Sequence, residues 1–217
     1  VAVLRRRIDD LWDTVRGEAL LALTGIEQDQ VLEMIESFAT SNVTARVYAA
    51  KSLAKLQKLD INQALLQLLF KDQKAIVRLS LIEALSERND QIAISVARKA
   101  LSDRATSVAG TAISFLAENP NEVFVEQLRI IYFRSLNNSQ SYELRELIVK
   151  TLVDLYDKSP KRQTASIRSL LVSALEDPRQ SVRVAAANAL EKLTKKRPKF
   201  AAMAPPRAPV FSALPFK

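Results

Sequence analysis

Six times along the chain an aliphatic residue is followed eight positions later by leucine, and this recurrence limits the possible folds more than any property of composition. The first column holds Val15, Ala45, Val77, Val108, Leu144 and Val182, and the second holds Leu23, Leu53, Leu85, Leu116, Leu152 and Leu190. Successive copies are 30, 32, 31, 36 and 38 residues apart. One position past the first column stand Arg16, Arg46, Arg78, Arg145 and Arg183, with Ala109 as the exception. Five positions before it stand Asp10, Thr40, Asp72, Asp103, Ser139 and Asp177. Each of those side chains has an oxygen that can accept from the free N–H groups of a helix's first turn, so each copy is expected to open with its own N-cap.

Offsets 0, +4, +5 and +8 from the first column share one face of a helix at 3.6 residues per turn. Ala19, Leu20 and Leu23, or Ala186, Ala187 and Leu190, show how small and aliphatic that face is, which lets neighbouring helices approach closely. No copy can bury such a face alone. A repeat of this length therefore reads as a solenoid in which stacked units make one continuous core. The expected fold is all-α, a right-handed α-α superhelix of about five to six helix pairs over residues 1–193, with a non-helical tail over residues 194–217.

The pattern Asp-x4-Val-Arg-x2-Ala-x3-Leu, clearest at Asp177, Val182, Arg183, Ala186 and Leu190, resembles the second helix of HEAT repeats. The short period of the first copies is similar to the bacterial HEAT-like type found in phycobilisome lyases. The resemblance implies a ladder of polar contacts between successive repeats, carried by Asp10, Arg16, Arg46, Asp72, Arg78, Asp103, Arg145, Asp177 and Arg183. Thr40, Ser139 and Ala109 break its columns, so the ladder is expected to be interrupted near the second, fourth and fifth copies. Arg145 is expected to matter less than Arg78, because its own copy has Ser139 in place of the aspartate. About function the resemblance says little, since unrelated activities are placed on this scaffold.

Composition narrows the chemistry. The chain has no Cys and no His, which removes Cys/His zinc sites, thiol nucleophiles, Ser-His-Asp triads and disulfides. No Gly-rich phosphate loop accompanies the acidic pairs on its helices, and neither catalysis nor a cofactor is implied. No apolar run reaches the roughly 18 residues of a membrane span, so a soluble protein is expected. Val1 is not an initiator methionine and no signal-peptide pattern precedes the first copy, which suggests a fragment or a processed product.

The net charge of +8 is unevenly placed. Residues 191–217 hold seven Lys or Arg against Glu191 alone, a net of +6, and residues 1–190 are left with +2. The repeat body is thus close to neutral. The basic run Lys195, Lys196, Arg197 and Lys199 opens a tail with Pro198, Pro205, Pro206, Pro209 and Pro215, which favour an extended path. Phe200, Phe211, Leu214 and Phe216 would anchor that tail to an apolar surface, in cis on the end of its own solenoid or on a neighbouring molecule.

Smaller features complete the reading. Arg5, Arg6 and Arg7 suit a solvated helix end, and Trp12, the sole tryptophan, is expected to pack at the edge of the first repeat. Residues 135–141 and 157–164 read as the two polar loops that lengthen the last periods. Asn119-Pro120 marks a stop and restart between helices.

These observations point to a non-enzymatic scaffold for protein–protein interaction. The second helix of each copy would present a mild, partly apolar stripe to an extended peptide or protein partner: Val47, Tyr48, Leu79, Ser80, Gly110, Thr111, Leu147 and Val184. A nucleic-acid partner is the alternative, held by the basic C-terminal segment, because a phosphate track would want Lys or Arg at several stripe positions.

Overall fold

The computed structural model describes residues 1–28, 30–57, 63–88, 90–118, 120, 123–156 and 161–194. Among them there are twelve α-helices and no strand. They form two compact units, Val1–Asn121 and Glu122–Lys217.

The first unit holds four helix pairs: α1 (Ala2–Arg7) with α2 (Asp13–Thr24), α3 (Leu32–Ala39) with α4 (Val43–Lys55), α5 (Gln63–Phe70) with α6 (Ala75–Ser86), and α7 (Gln91–Ala100) with α8 (Thr106–Glu118). The second helices stack in chain order, α2 on α4, α4 on α6 and α6 on α8, while each first helix packs on its own partner. This is the layered arrangement of a HEAT-like solenoid. It follows from the sequence because the small apolar faces meet between second helices: Ala19, Ala49, Leu81 and Ala112 at offset +4 are all buried, as are Leu23, Leu53, Leu85 and Leu116 at offset +8. Truncating one of those leucines to alanine would cost about 2–5 kcal/mol.

The second unit holds α9 (Phe124–Ser135) with α10 (Tyr142–Tyr156) and α11 (Lys161–Ala174) with α12 (Gln180–Thr194). Here α10 stacks on α12, and the first helices α9 and α11 also touch. Bulkier groups fill this core, with Phe124, Leu128 and Tyr132 from α9 buried beside Ile148, Leu152 and Leu155 from α10. Residues 195–217, which include the basic run and the anchors Phe200, Phe211, Leu214 and Phe216, lie outside the described residues.

Three expectations need correction. The repeated acidic or hydroxyl residue is not the N-cap. Asp10, Asp72, Asp103 and Asp177 each stand three residues before the helix and accept, through Oδ1, the N–H of the residue two positions on: Trp12, Lys74, Ala105 and Arg179, at 3.1, 2.8, 2.8 and 2.8 Å. Such an Asx turn leaves the other carboxylate edge free for a second partner. In the copies without aspartate, Asn42 caps α4 by accepting from the Ala45 N–H at 3.0 Å, and Asn138 accepts from the Gln140 N–H at 3.0 Å ahead of a short 3-10 turn at Ser139–Ser141. The hydroxyl of Thr40 instead donates back to the carbonyl of Ser37 at 3.1 Å, the usual behaviour of a threonine at a helix end.

Trp12 does not pack at the edge of its repeat; it is 72% exposed, beside a still more exposed Leu11, because both lie in the turn that Asp10 shapes. Residues 161–164 of the polar loop expected over 157–164 are helical, since α11 begins at Lys161, and 157–160 lie outside the described residues. The Lys-Arg-Gln-Thr start of α11 is compatible with a helical first turn, and polarity alone did not distinguish the two.

Candidate interaction surface

The surface can be built from what each repeat does with its polar residues. Arg46 Nε donates to Asp72 Oδ2 at 2.6 Å, and its Nη1 donates to the Ser41 carbonyl at 2.7 Å. Arg78 makes a two-point contact with Asp103, Nε to Oδ2 and Nη2 to Oδ1, both at 2.7 Å, and Nη1 reaches the carbonyl of Asp72. In the second unit Arg145 Nε donates to Asp177 Oδ2 at 2.8 Å and Nη1 to the Ser135 carbonyl at 3.0 Å. In each case the guanidinium joins a carboxylate of the following repeat to a backbone carbonyl of its own turn. The planar five-donor fork of arginine can satisfy both at once, which a lysine could not.

The rungs stop where a column residue is missing. Arg16 has Thr40 rather than an aspartate ahead of it, so it turns to Asp13 on its own helix, and Asn42 of the next repeat donates to the same carboxylate at 2.8 Å. Ala109 has no group to offer. Arg183 donates to the carbonyls of Asp177 at 2.7 Å and Pro178 at 3.0 Å. The expected weakness at Arg145 is overturned: the arginine's carboxylate belongs to the following repeat, so Ser139 in its own copy is irrelevant. Arg145 and Asp177 are the most deeply buried pair among these rungs.

Electrostatics agree with this pairing. Burial pushes the Asp103 carboxyl up, but hydrogen bonds from Arg78 and the Ala105 N–H outweigh it and hold it below the usual range. Asp72 is held low in the same way by Arg46 and the Lys74 N–H against its own burial. Tyr132 donates to Asp177 Oδ2 at 2.6 Å, and burial together with that carboxylate pushes its phenol far above the ordinary value.

Two participants were not foreseen from the sequence. Nothing local to Tyr132 signals a partner 45 residues away. Arg88, in the turn after α6, donates to the carbonyls of Ala54 and Leu56 at the end of α4 and pairs with Asp90 at 2.8 Å. A basic residue just beyond a helix end signals a partner among terminal carbonyls, but not that those carbonyls belong to α4 of the preceding repeat rather than to α6.

With the charged columns committed to one another, the stripe on the second helices is what remains. In the first unit Val47, Leu79, Gly110 and Thr111 are half-buried, and Ile76 beside them is 50% exposed. Ser80 leaves the candidate set, because at 3% exposure it faces the interior. Tyr48 is only partly available. Its ring sits on Gly17 so closely that a Cβ at that position would overlap it, and its hydroxyl donates to Glu18 Oε1 at 2.9 Å. In the second unit Leu147 is half-buried and Val184 exposed. Among the described residues, no helix is long and apolar enough to cross a membrane.

Comparison with known proteins adds to the fold. The HEAT repeat family model matches residues 167–197, which cover much of α11 and all of α12. No curated protein is similar enough to count as a relative. Among solved structures, the crystal structure of an engineered protein, a target of the Northeast Structural Genomics Consortium, is 16% identical and superposes with a TM-score of 0.50 over 89% of this chain and 96% of that one. The chain is therefore HEAT-like in fold, and its last helix pair is similar to a HEAT repeat in sequence as well.

Proposed function

We propose that this chain is a non-enzymatic scaffold that binds an extended peptide or protein segment on the exposed face of its second helices. HEAT repeats generally serve protein–protein interaction, and the observation that supports the reading here is the uncharged stripe of Val47, Ile76, Leu79, Gly110 and Thr111 across α4, α6 and α8. Such a surface offers apolar contact and close backbone approach at Gly110, without the Lys or Arg rows that a phosphate backbone needs. From the 30- to 32-residue steps of the first copies we also propose that the repeats are of the short type similar to those of phycobilisome lyases.

The test is peptide selection from a displayed random library, followed by affinity measurement on Leu79→Lys and Val47→Lys variants. Selected peptides should lose at least about tenfold in affinity, since a lysine removes the apolar contact and adds a charge that must be desolvated. Undiminished binding by both variants would exclude the stripe. The alternative, nucleic acid held by Lys195, Lys196, Arg197 and Lys199, rests on the charge of a segment outside the described residues. Failure of random duplex to bind at low salt, where phosphate contacts are strongest, would eliminate it.

A further inference from the structure

The turns between first and second helices carry a surface that the peptide stripe does not include. Between the end of α3, α5 and the start of α6 lies a cleft of about 580 Å³, lined by the apolar Ala39, Ala64 and Leu68 together with Arg46, Gln67, Lys71, Asp72, Gln73 and Lys74. Its size is within the range of binding pockets rather than packing defects. Leu68, an apolar residue on α5, is 49% exposed there.

The charge in this cleft is one-sided for a reason the ladder supplies. Among the described residues Asp72 is the one carboxylate in the lining, and it is already engaged by Arg46 at 2.6 Å and by the Lys74 N–H at 2.8 Å. Asp103 in the next turn is taken by both prongs of Arg78. Lys71 and Lys74 therefore have no acidic partner among the described residues, and Arg104 adds a third cation by donating to the Gln73 carbonyl at 2.8 Å. The carboxylates of Asp72 and Asp103 are thus spent on holding the repeats together and are not left to neutralise these side chains.

From this geometry we infer that the α3/α5/α6 cleft is a second binding site, which takes an acidic peptide segment of a partner protein. The two ammonium groups meet carboxylate side chains, the amides of Gln67 and Gln73 offer both donors and acceptors to an extended backbone, and Leu68 with Ala39 and Ala64 gives an apolar floor. That floor and those amides favour a peptide over a polynucleotide, whose phosphates would want a continuous cationic track. The site is distinct from the stripe on the second helices, so its fate does not depend on the reading proposed above.

The experiment uses the full chain, a fluorescein-labelled peptide rich in Glu and Leu, and a control peptide with Gln in place of Glu. The acidic peptide should bind and the Gln peptide should not. Lys71→Glu/Lys74→Glu should weaken binding by at least about tenfold, while Lys150→Glu/Lys192→Glu, the same change of charge at exposed positions of the second unit, should leave it unchanged. Both lysines are exposed and unpaired, so the double variant should keep the wild-type circular dichroism; Lys71→Gln/Lys74→Gln, with an intermediate loss, checks against misfolding. The basic run at 195–199 is common to all these proteins and cannot produce the difference. Equal binding by wild type and double variant would overturn the inference, as would equal binding of the two peptides. Displacement of the peptide by random duplex at matched charge concentration would also overturn it, by showing a general polyanion surface.

Discussion

Arg145 and Asp177 are joined through Nε and Oδ2 at 2.8 Å although 32 residues separate them, and their side chains keep 1% and 0% of their exposure. The pair links two repeats and is closed over by Tyr132, whose hydroxyl reaches the same carboxylate oxygen. Removing one member of a buried ion pair strands the other, at a cost of about 3–5 kcal/mol, whereas an exposed pair contributes about 0–1 kcal/mol. Arg145→Ala should therefore destabilise its unit by the larger amount. Arg46→Ala should cost far less, since the Arg46 side chain retains 21% of its exposure. Denaturant unfolding of the two variants decides, and equal losses would show that burial does not rank the rungs.

Tyr132→Phe isolates the third member. The substitution keeps the ring and deletes one hydrogen bond to a charged acceptor, worth about 1.5–3 kcal/mol. A pH signature accompanies it. Because the phenol's folded-state pKa is raised, its contribution is complete below the unfolded value near 10 and is lost as pH rises beyond it. Wild type should lose stability above about pH 10 more steeply than Tyr132→Phe. Parallel alkaline profiles would count against the bond.

The first unit should respond to acid in the opposite sense. The carboxyls of Asp72 and Asp103 are held below the usual range, so their contribution is present above the unfolded value near 4 and disappears as pH falls through the lower folded values. Melting temperature should drop below about pH 4, and Asp72→Asn/Asp103→Asn should flatten that drop while lowering the plateau at neutral pH. An unchanged slope in the double variant would mean that other carboxylates govern acid unfolding.

Gly17 reverses an ordinary rule. Glycine to alanine within a helix normally stabilises by about 1 kcal/mol. Here the added methyl would meet the Tyr48 ring, so Gly17→Ala alone should destabilise by about 1–3 kcal/mol, as overpacking does. In a Tyr48→Ala background the same change should become neutral or stabilising. A thermal double-mutant cycle measures the coupling, and additive effects would show that the ring moves aside freely.

The sequence by itself determined the unit that is repeated. Offsets 0, +4, +5 and +8 named the buried face correctly from Ala19 to Leu190, because helical periodicity is a local property that each segment carries in its own spacing. Of the arginines and aspartates it named, Arg46 meets Asp72, Arg78 meets Asp103 and Arg145 meets Asp177, while Arg16, Arg183 and Asp10 take other partners. What it could not supply was which carboxylate each arginine takes, and for that reason Ser139 was no ground for ranking Arg145 below Arg78. That choice depends on how far and at what angle one helix pair is set on the next, and on where a long side chain points once both backbones are fixed. The same holds for Tyr132 closing over Asp177, for Tyr48 seated on Gly17, and for the burial of Ser80. A cleft such as the one beside Leu68 exists only as space left between α3, α5 and α6, and no single segment encodes space. Periodicity is written residue by residue along the chain, while pairing and cavities are properties of the stacked repeats, decided only when separate copies come together.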